Sequence, residues 1–332
     1  MTDPEYFQKH QSYSITPGAV AIVGAGSIGV AFAIVFARAG WTVNVYDPDE
    51  SRRKAALLEI DQRLNLLRSY KLLPEAPDAV ATRIQMLHRM KEAVQFAELV
   101  IECAPERLDL KRDIFKQLDE YCKLETILCS ASSALCISSF CSDLPSRQRC
   151  LIAHPGNPPY LISIVEIVPA DFTGRDIVER SRSLFSNIGM QPILVRREVE
   201  GFVFNRLQGA VLREAYCLVR DGVADVADID TVIRDGLGYR WSIAGPFETV
   251  DLNTRGGIIS HAEKMGPAYA RMGAERGQVD PWTPELVATV AAQRRATLPL
   301  EEWDHRVEWR DGRLMTLAKH RSDESESEEC SY

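Results

Sequence analysis

From Gln11 to Ala37 the chain carries no charged residue, and within that run "AVAIVGAGSIGVAFAIVFA" places three glycines in six positions. A run this long could in principle cross a bilayer. The glycines sit where a membrane helix would need continuity, however, and the preceding "MTDPEYFQKH" is not the basic opening of a signal peptide. A buried strand over 18–24, a tight turn and a buried helix over 27–39 satisfy the pattern better. A strand driven straight into a helix through glycines leaves few folds open, because the helix must pack back on the sheet that holds the strand.

The rest of the first 200 residues repeats that alternation. "WTVNVYD" (41–47) predicts a second strand, and a long amphipathic helix runs from Asp49 to Tyr70. "IQMLH", "ELVIECA", "TILCSAS", "RCLIAHP", "SIVEIVP" and "QPILVR" predict further strands, with helices over 107–121 and 174–188. Short strands alternating with helices imply an α/β architecture, a Rossmann-like doubly wound and mostly parallel sheet. After Glu200 strand patterns cease. "GFVFNRLQGAVLREAYCLVRDG" predicts a long helix, apolar around most of its circumference, and "ADVADIDTVIRDGLG" a shorter one ending at glycine. An all-helical C-terminal domain is expected, and a helix apolar on most sides asks for neighbours on most sides, including another subunit. The expected division is 1–200 for cofactor binding, 201–320 for substrate binding and dimerisation, and 321–332 as an acidic disordered tail, "SDESESEECSY" within it. A length of 332 residues fits two such domains.

The glycine triplet Gly24, Gly26, Gly29 has the setting that gives it meaning, because it follows a strand, opens a helix and precedes an acidic residue, Asp47, at the end of the next strand. Gly24 permits the tight turn, Gly26 lets a pyrophosphate approach the backbone, and Gly29 allows close helix–strand packing. The N–H groups of Ser27 and Ile28 at the helix start would face the phosphates. Asp47 would accept hydrogen bonds from the adenosine ribose hydroxyls and repel a 2′-phosphate, which predicts NAD rather than NADP. Arg52 and Arg53 stand close enough in sequence to weaken that exclusion.

A net charge of −8 argues against nucleic acid or an anionic membrane as partner. Eight cysteines show no C-x-x-C pair and no histidine at zinc spacing, so no metal site is expected, and Cys103, Cys129 and Cys150 lie in apolar runs. Such thiols suit a reducing, cytoplasmic setting.

In "IAHPGNPPYLISIVEIVPA" a lone histidine, His154, closes an apolar run, and Glu166 stands among Ile164, Val165, Ile167 and Val168. A carboxylate in such a strand is costly unless paired. A bond to one imidazole nitrogen would fix the histidine's tautomer and free the other nitrogen to act as a base. The residues alone favour a structural histidine over a catalytic one. Here, and in "IVGAGSIG", "ECAPERLDLK", "EVEGFVFNRLQ", "GLGYRWSIAGPFET" and "WRDGRLMTLAK", the chain resembles the 3-hydroxyacyl-CoA dehydrogenase superfamily, especially its lambda-crystallin branch of L-gulonate 3-dehydrogenases. The resemblance implies that His154 takes the hydroxyl proton as hydride leaves for the nicotinamide, and that Glu166 holds and polarises it. It further implies that Ser133 hydrogen-bonds the substrate oxygen, that Asn205 steadies substrate and histidine, and that Glu106 and Lys111 line the NAD site. A loop-end cap, a polar helix position and surface charges are the plainer explanations of those four.

Departures from the acyl-CoA enzymes sharpen the expectation. Ala131 stands where they carry Asn, Pro155 and Gly156 replace a bulky aromatic pair, and "GYRW" brings Arg240 in place of proline. Arg240 is a cation suited to a free carboxylate, or else to a structural salt bridge. The expectation is an NAD-dependent dehydrogenase, a homodimer acting on the 3-hydroxyl of a small free acid, with L-gulonate the leading candidate. L-carnitine or a 3-hydroxyacyl-CoA is the alternative substrate, and a structural crystallin-like role the alternative class.

Overall fold

A computed structural model describes residues 17–278, 283–307 and 309. The chain divides into two compact units, Met1–Leu212 and Arg213–Tyr332. The first alternates β1 (Ala19–Val23), α1 (Ser27–Arg38), β2 (Thr42–Tyr46), α2 (Glu50–Ser69), α3 (Pro77–Ala81), β3 (Ile84–Leu87), α4 (Met90–Val94), β4 (Leu99–Glu102), α5 (Leu108–Tyr121), β5 (Ile127–Ser130) and α6 (Ser138–Cys141). It continues with β6 (Cys150–Pro155), β7 (Ile164–Pro169), α7 (Arg175–Asn187), β8 (Gln191–Leu194) and the start of α8 (Phe204–Arg220). The eight strands form one sheet in the order β3-β2-β1-β4-β5-β6-β7-β8.

Every neighbouring pair is parallel except β6 and β7. The link between those two, residues 156–163, is too short for the crossover of a dozen or more residues that parallel strands need. The chain therefore turns back on itself, through a proline-rich turn in which the Gly156 N–H donates to the Ile164 carbonyl at 2.9 Å. Both faces of the sheet are covered. One buried cluster joins α1, with Phe32 and Phe36 fully buried, to Ile60 and Leu64 of α2 and Phe185 of α7. The other packs Phe115 of α5 and Phe140 of α6 against β4, β5 and β6. With covered faces, strands read as continuous apolar runs rather than alternating ones, as "LVIE" and "ILCS" do.

The second unit, as described, is helical, with α9 (Val226–Thr231), a π-helical turn Val232–Leu237, α10 (Gly238–Trp241), α11 (Pro246–Asn253), α12 (Gly257–Glu275) and α13 (Pro284–Thr297). The helix expected to stop at glycine does not stop. It passes Gly236 and Gly238 through the π turn, and Arg240 sits on the helix α10 that follows. Gly236 and Gly238 lack the positive φ that a glycine stop uses. The long helix expected from 201 begins at Phe204, because Gly201 (φ 76°) and Phe202 (φ 49°) are left-handed. The acidic tail lies outside the described residues. Among the described residues, no helix is long and apolar enough to cross a membrane.

Candidate active site

The antiparallel turn at β6 and β7 decides the geometry. It sets His154 directly opposite Glu166 in the ladder, and their side chains meet at 2.8 Å between Nδ1 and Oε2. Both are buried. The second oxygen of Glu166 accepts the backbone N–H of Val203 at 2.8 Å and of Phe204 at 2.9 Å. Those donors belong to the open first turn of α8, and the left-handed pair Gly201–Phe202 turns them toward the carboxylate. Burial acts to raise the Glu166 carboxyl, but the hydrogen bonds from His154, Phe204 and Val203 outweigh it and hold the group below the ordinary carboxylate range. An ionised carboxylate only accepts, so Nδ1 of His154 carries a proton, and in the neutral imidazole Nε2 is then the basic nitrogen. Phe202 and Phe204 lie against the imidazole, with ring centroids 5.6 and 6.4 Å away.

One residue into α8, the Asn205 amide donates to the backbone carbonyl of Ser133 at 2.9 Å. Ser133 stands exposed in the loop after β5. The structure thus brings His154, Glu166, Asn205 and Ser133 together where β5 and β6 end and the antiparallel β7 begins. That loop is held by Glu106, whose Oε1 accepts from Ser132 Oγ at 2.5 Å and from the N–H groups of Ala134 and Leu135 at 3.1 Å. Burial would raise Glu106, but the bonds from Ser132 and Leu135 and the charge of Lys111 hold it below its usual value.

Sequence reasoning named Lys111 as a wall of the cofactor site but missed its buried partner, Glu102. Lys111 is a fully buried ammonium, 2.9–3.0 Å from both oxygens of Glu102 and 3.4 Å from Glu106. Glu102, wholly buried at the end of β4, also accepts from Ser130 Oγ at 2.5 Å and from the Ala104 N–H at 2.7 Å. Burial pushes its carboxyl up in spite of Lys111 and Ser130. The signal was present, since "VIEC" embeds a carboxylate in an apolar run as "IVEIV" does.

The glycine turn fits a dinucleotide. Gly24 has φ 107°, and a Cβ there would meet the Cys103 backbone at 2.8 Å. A Cβ on Gly29 would lie 1.9 Å from the Gly24 carbonyl oxygen, so helix and turn touch as the motif requires. A Cβ on Gly26 would meet nothing within 4 Å, which leaves open space over the start of α1. No side chain caps that helix and its first turn holds no acidic residue, so the N–H groups around Ser27 and Ile28 suit a pyrophosphate. Asp47 is fixed by the N–H groups of Ala25 (2.9 Å) and Asp49 (3.0 Å). Arg52 and Arg53 are engaged, Arg52 with the Ala25 carbonyl and Glu59, Arg53 with the Asp47 carbonyl. Arg240 belongs to the second unit, where its Nε is buried and meets no hydrogen-bond partner among the described residues.

The chain is similar to known proteins over most of its length. The model of the 3-hydroxyacyl-CoA dehydrogenase NAD binding domain matches residues 19–199, and that of the 3-hydroxyacyl-CoA dehydrogenase C-terminal domain matches 201–297. The lambda-crystallin homolog of Bos taurus is 37% identical over 311 residues, covering 92% of this chain and 96% of its own. L-carnitine dehydrogenase of Pseudomonas putida is 35% identical over 249 residues, 75% of this chain and 77% of that protein. Among solved structures, the NAD+-dependent 5-formyl-3-hydroxy-2-methylpyridine 4-carboxylic acid 5-dehydrogenase superposes with a TM-score of 0.70 at 27% identity. That match covers 88% of this chain and 99% of the other.

Proposed function

The chain belongs to the 3-hydroxyacyl-CoA dehydrogenase family, NAD-dependent oxidoreductases acting on CH–OH, and from that premise we propose that it oxidises the 3-hydroxyl of a small free hydroxy acid. The observation that carries this is the His154–Glu166 pair, anchored to the first turn of α8 beside Asn205 and Ser133.

Bound NAD supplies the hydride acceptor. His154 Nε2 takes the proton of the substrate hydroxyl as its C–H hydride leaves, so alcohol becomes ketone and the proton rests on the imidazole. Glu166 keeps the proton on Nδ1 before the reaction and faces the imidazolium after it. Ser133 hydrogen-bonds the reacting oxygen. Asn205, tied to the Ser133 loop, orients substrate and histidine. Gly24, Gly26, Ser27, Ile28 and Gly29 hold the pyrophosphate, Asp47 the adenosine ribose, and Glu106 with Lys111 shapes the wall of the cofactor site.

L-Gulonate is the leading substrate. It is supported by the likeness to lambda-crystallin proteins across nearly the whole chain and by Arg240, a guanidinium whose Nε meets no partner among the described residues, in place of the acyl-CoA enzymes' proline. Carnitine is the second reading, favoured by the likeness to a carnitine dehydrogenase. Residues 1–200 bind NAD, and 201–320 hold the substrate and pair two subunits. The free thiols among the described residues suit a cytoplasmic setting. The deciding experiment follows NADH production with gulonate, carnitine, 3-hydroxybutyrate and 3-hydroxybutyryl-CoA. Turnover of gulonate well above the others is the expected result. Silence with all four, while NAD still binds, would favour a crystallin-like structural role.

A further inference from the structure

The geometry points to Glu59 as a specificity-determining residue, a lock that keeps Arg52 from serving a 2′-phosphate on the cofactor's adenosine ribose. The inference rests on the reading of Asp47 as the ribose acceptor. Ala25, in the middle of the glycine turn, is gripped from both sides. Its N–H donates to Asp47 Oδ2 at 2.9 Å, and its carbonyl accepts from Arg52 Nε at 2.6 Å. A carboxylate for ribose hydroxyls and a guanidinium are thus fastened to one residue. An arginine in that neighbourhood is the chemistry that accepts a 2′-phosphate. The chain therefore holds both cofactor codes at once, and something must silence one.

Glu59 does so. Its Oε1 lies 2.6 Å from Arg52 Nη1, while its Oε2 lies 3.4 Å from Arg63 Nη2. Arg63 itself reaches the Ser27 carbonyl at 3.4 Å and lies over the Tyr160 ring at 5.8 Å. One carboxylate thus balances two cations that flank the cofactor turn. Simple helix support does not account for this, because the i,i+4 partner that stabilises a helix is Arg63, and that contact is the longer one. The short bond goes to Arg52, seven positions back on the same helix, whose Nε reaches the turn through the Ala25 carbonyl. Arg53 is turned instead to the Asp47 carbonyl, at 2.6 Å from its Nη1. With Glu59 present, Asp47, Arg52, Glu59 and Arg63 sum to zero charge. Without it they sum to +1, and Arg52 Nη1 is free for a phosphate oxygen.

The test is cofactor binding alone, by NADH and NADPH fluorescence titration of the full chain without substrate. Wild type, Glu59→Ala, Glu59→Ala/Arg52→Ala and Asp47→Ser are compared. Glu59→Ala should raise NADPH affinity relative to NADH by about tenfold, the equivalent of ~1.4 kcal/mol, and the added Arg52→Ala should abolish the gain. An unchanged ratio in Glu59→Ala beside a raised one in Asp47→Ser would overturn the lock while keeping the Asp47 reading. A gain that survives removal of Arg52, or equal weakening of both cofactors, would overturn it too. If Glu59→Ala raises the ratio and Asp47→Ser does not, the lock stands and the role given to Asp47 falls.

Discussion

His154 and Glu166 divide one task, and their substitutions should separate. His154→Ala removes the only proposed base and should lower kcat by about 10²- to 10⁴-fold, with NADH affinity nearly unchanged. Equal turnover in the variant would end the mechanism. Glu166→Gln should slow turnover less, yet it should also cost stability, because the carboxylate closes two open donors of α8. The sign with pH follows from the depressed Glu166 carboxyl. Its contribution is fully present above the ordinary carboxylate value and is lost as pH falls through the lower folded value. Acid unfolding curves of wild type and Glu166→Gln should therefore differ at neutral pH and converge at the acid end; parallel curves would show that Glu166 is not ionised in the fold. Arg240 acts on binding rather than chemistry if it holds the substrate carboxylate. Arg240→Ala should then raise KM about tenfold, near the ~1.4 kcal/mol of a charged hydrogen bond. Arg240→Lys should recover only part, for want of the guanidinium fork. An unchanged KM for every acid would make Arg240 structural.

Three elements meet on the buried ion cluster, β4 through Glu102, α5 through Lys111 and the loop after β5 through Ser130 and Ser132. Two carboxylates, Glu102 and Glu106, share one ammonium. Removing the ammonium strands a buried carboxylate, whereas removing Glu102's charge leaves Lys111 with Glu106. Lys111→Met should therefore cost about 3–5 kcal/mol in denaturant unfolding, and Glu102→Gln clearly less. The reverse order would mean that Lys111 depends on Glu102 and that Glu106 does not hold it. The same parts show what was legible beforehand. Strands and long helices were readable because burial on both sheet faces leaves an unbroken apolar run, as in "AVAIV", and burial on one stripe leaves a period, as in α5. The five-residue helices α3 and α4 are too short to show one. The reversal at β7 left no mark in its own residues, since a buried strand looks alike in either direction, although the brevity of 156–163 could have revealed it. His154 and Glu166 could be flagged as an oddity from burial cost, but only the ladder register pairs them. Lys111 read as a cofactor-site residue, while its partner Glu102 was passed over because its strand was read only for its apolar neighbours.

Helix α8 has its amphipathicity turned outward, and this bears on how many chains make the working molecule. Glu214 and Asp221 lie on one face, seven positions apart, and both bind Arg276 at the end of α12 at 2.8–2.9 Å. Roughly opposite on a helix of about 3.6 residues per turn stand Leu212, Tyr216 and Val219. They are 46%, 76% and 41% exposed, and no residue of α8 is buried. The polar side is engaged within the chain and the apolar side is bare. An i, i+4, i+7 stripe of this kind is what one helix offers another, and a second copy of the chain presents the same stripe, as a two-fold interface requires. The full chain should therefore sediment as a dimer at micromolar concentration. Tyr216→Glu, which sets a charge at the most exposed point of the stripe, should shift it toward monomer. NADH affinity should survive the substitution, because the glycine turn and Asp47 belong to the first unit. A wild-type monomer at that concentration would sink the proposal. A Tyr216→Glu protein that stays dimeric would move the interface off this face of α8.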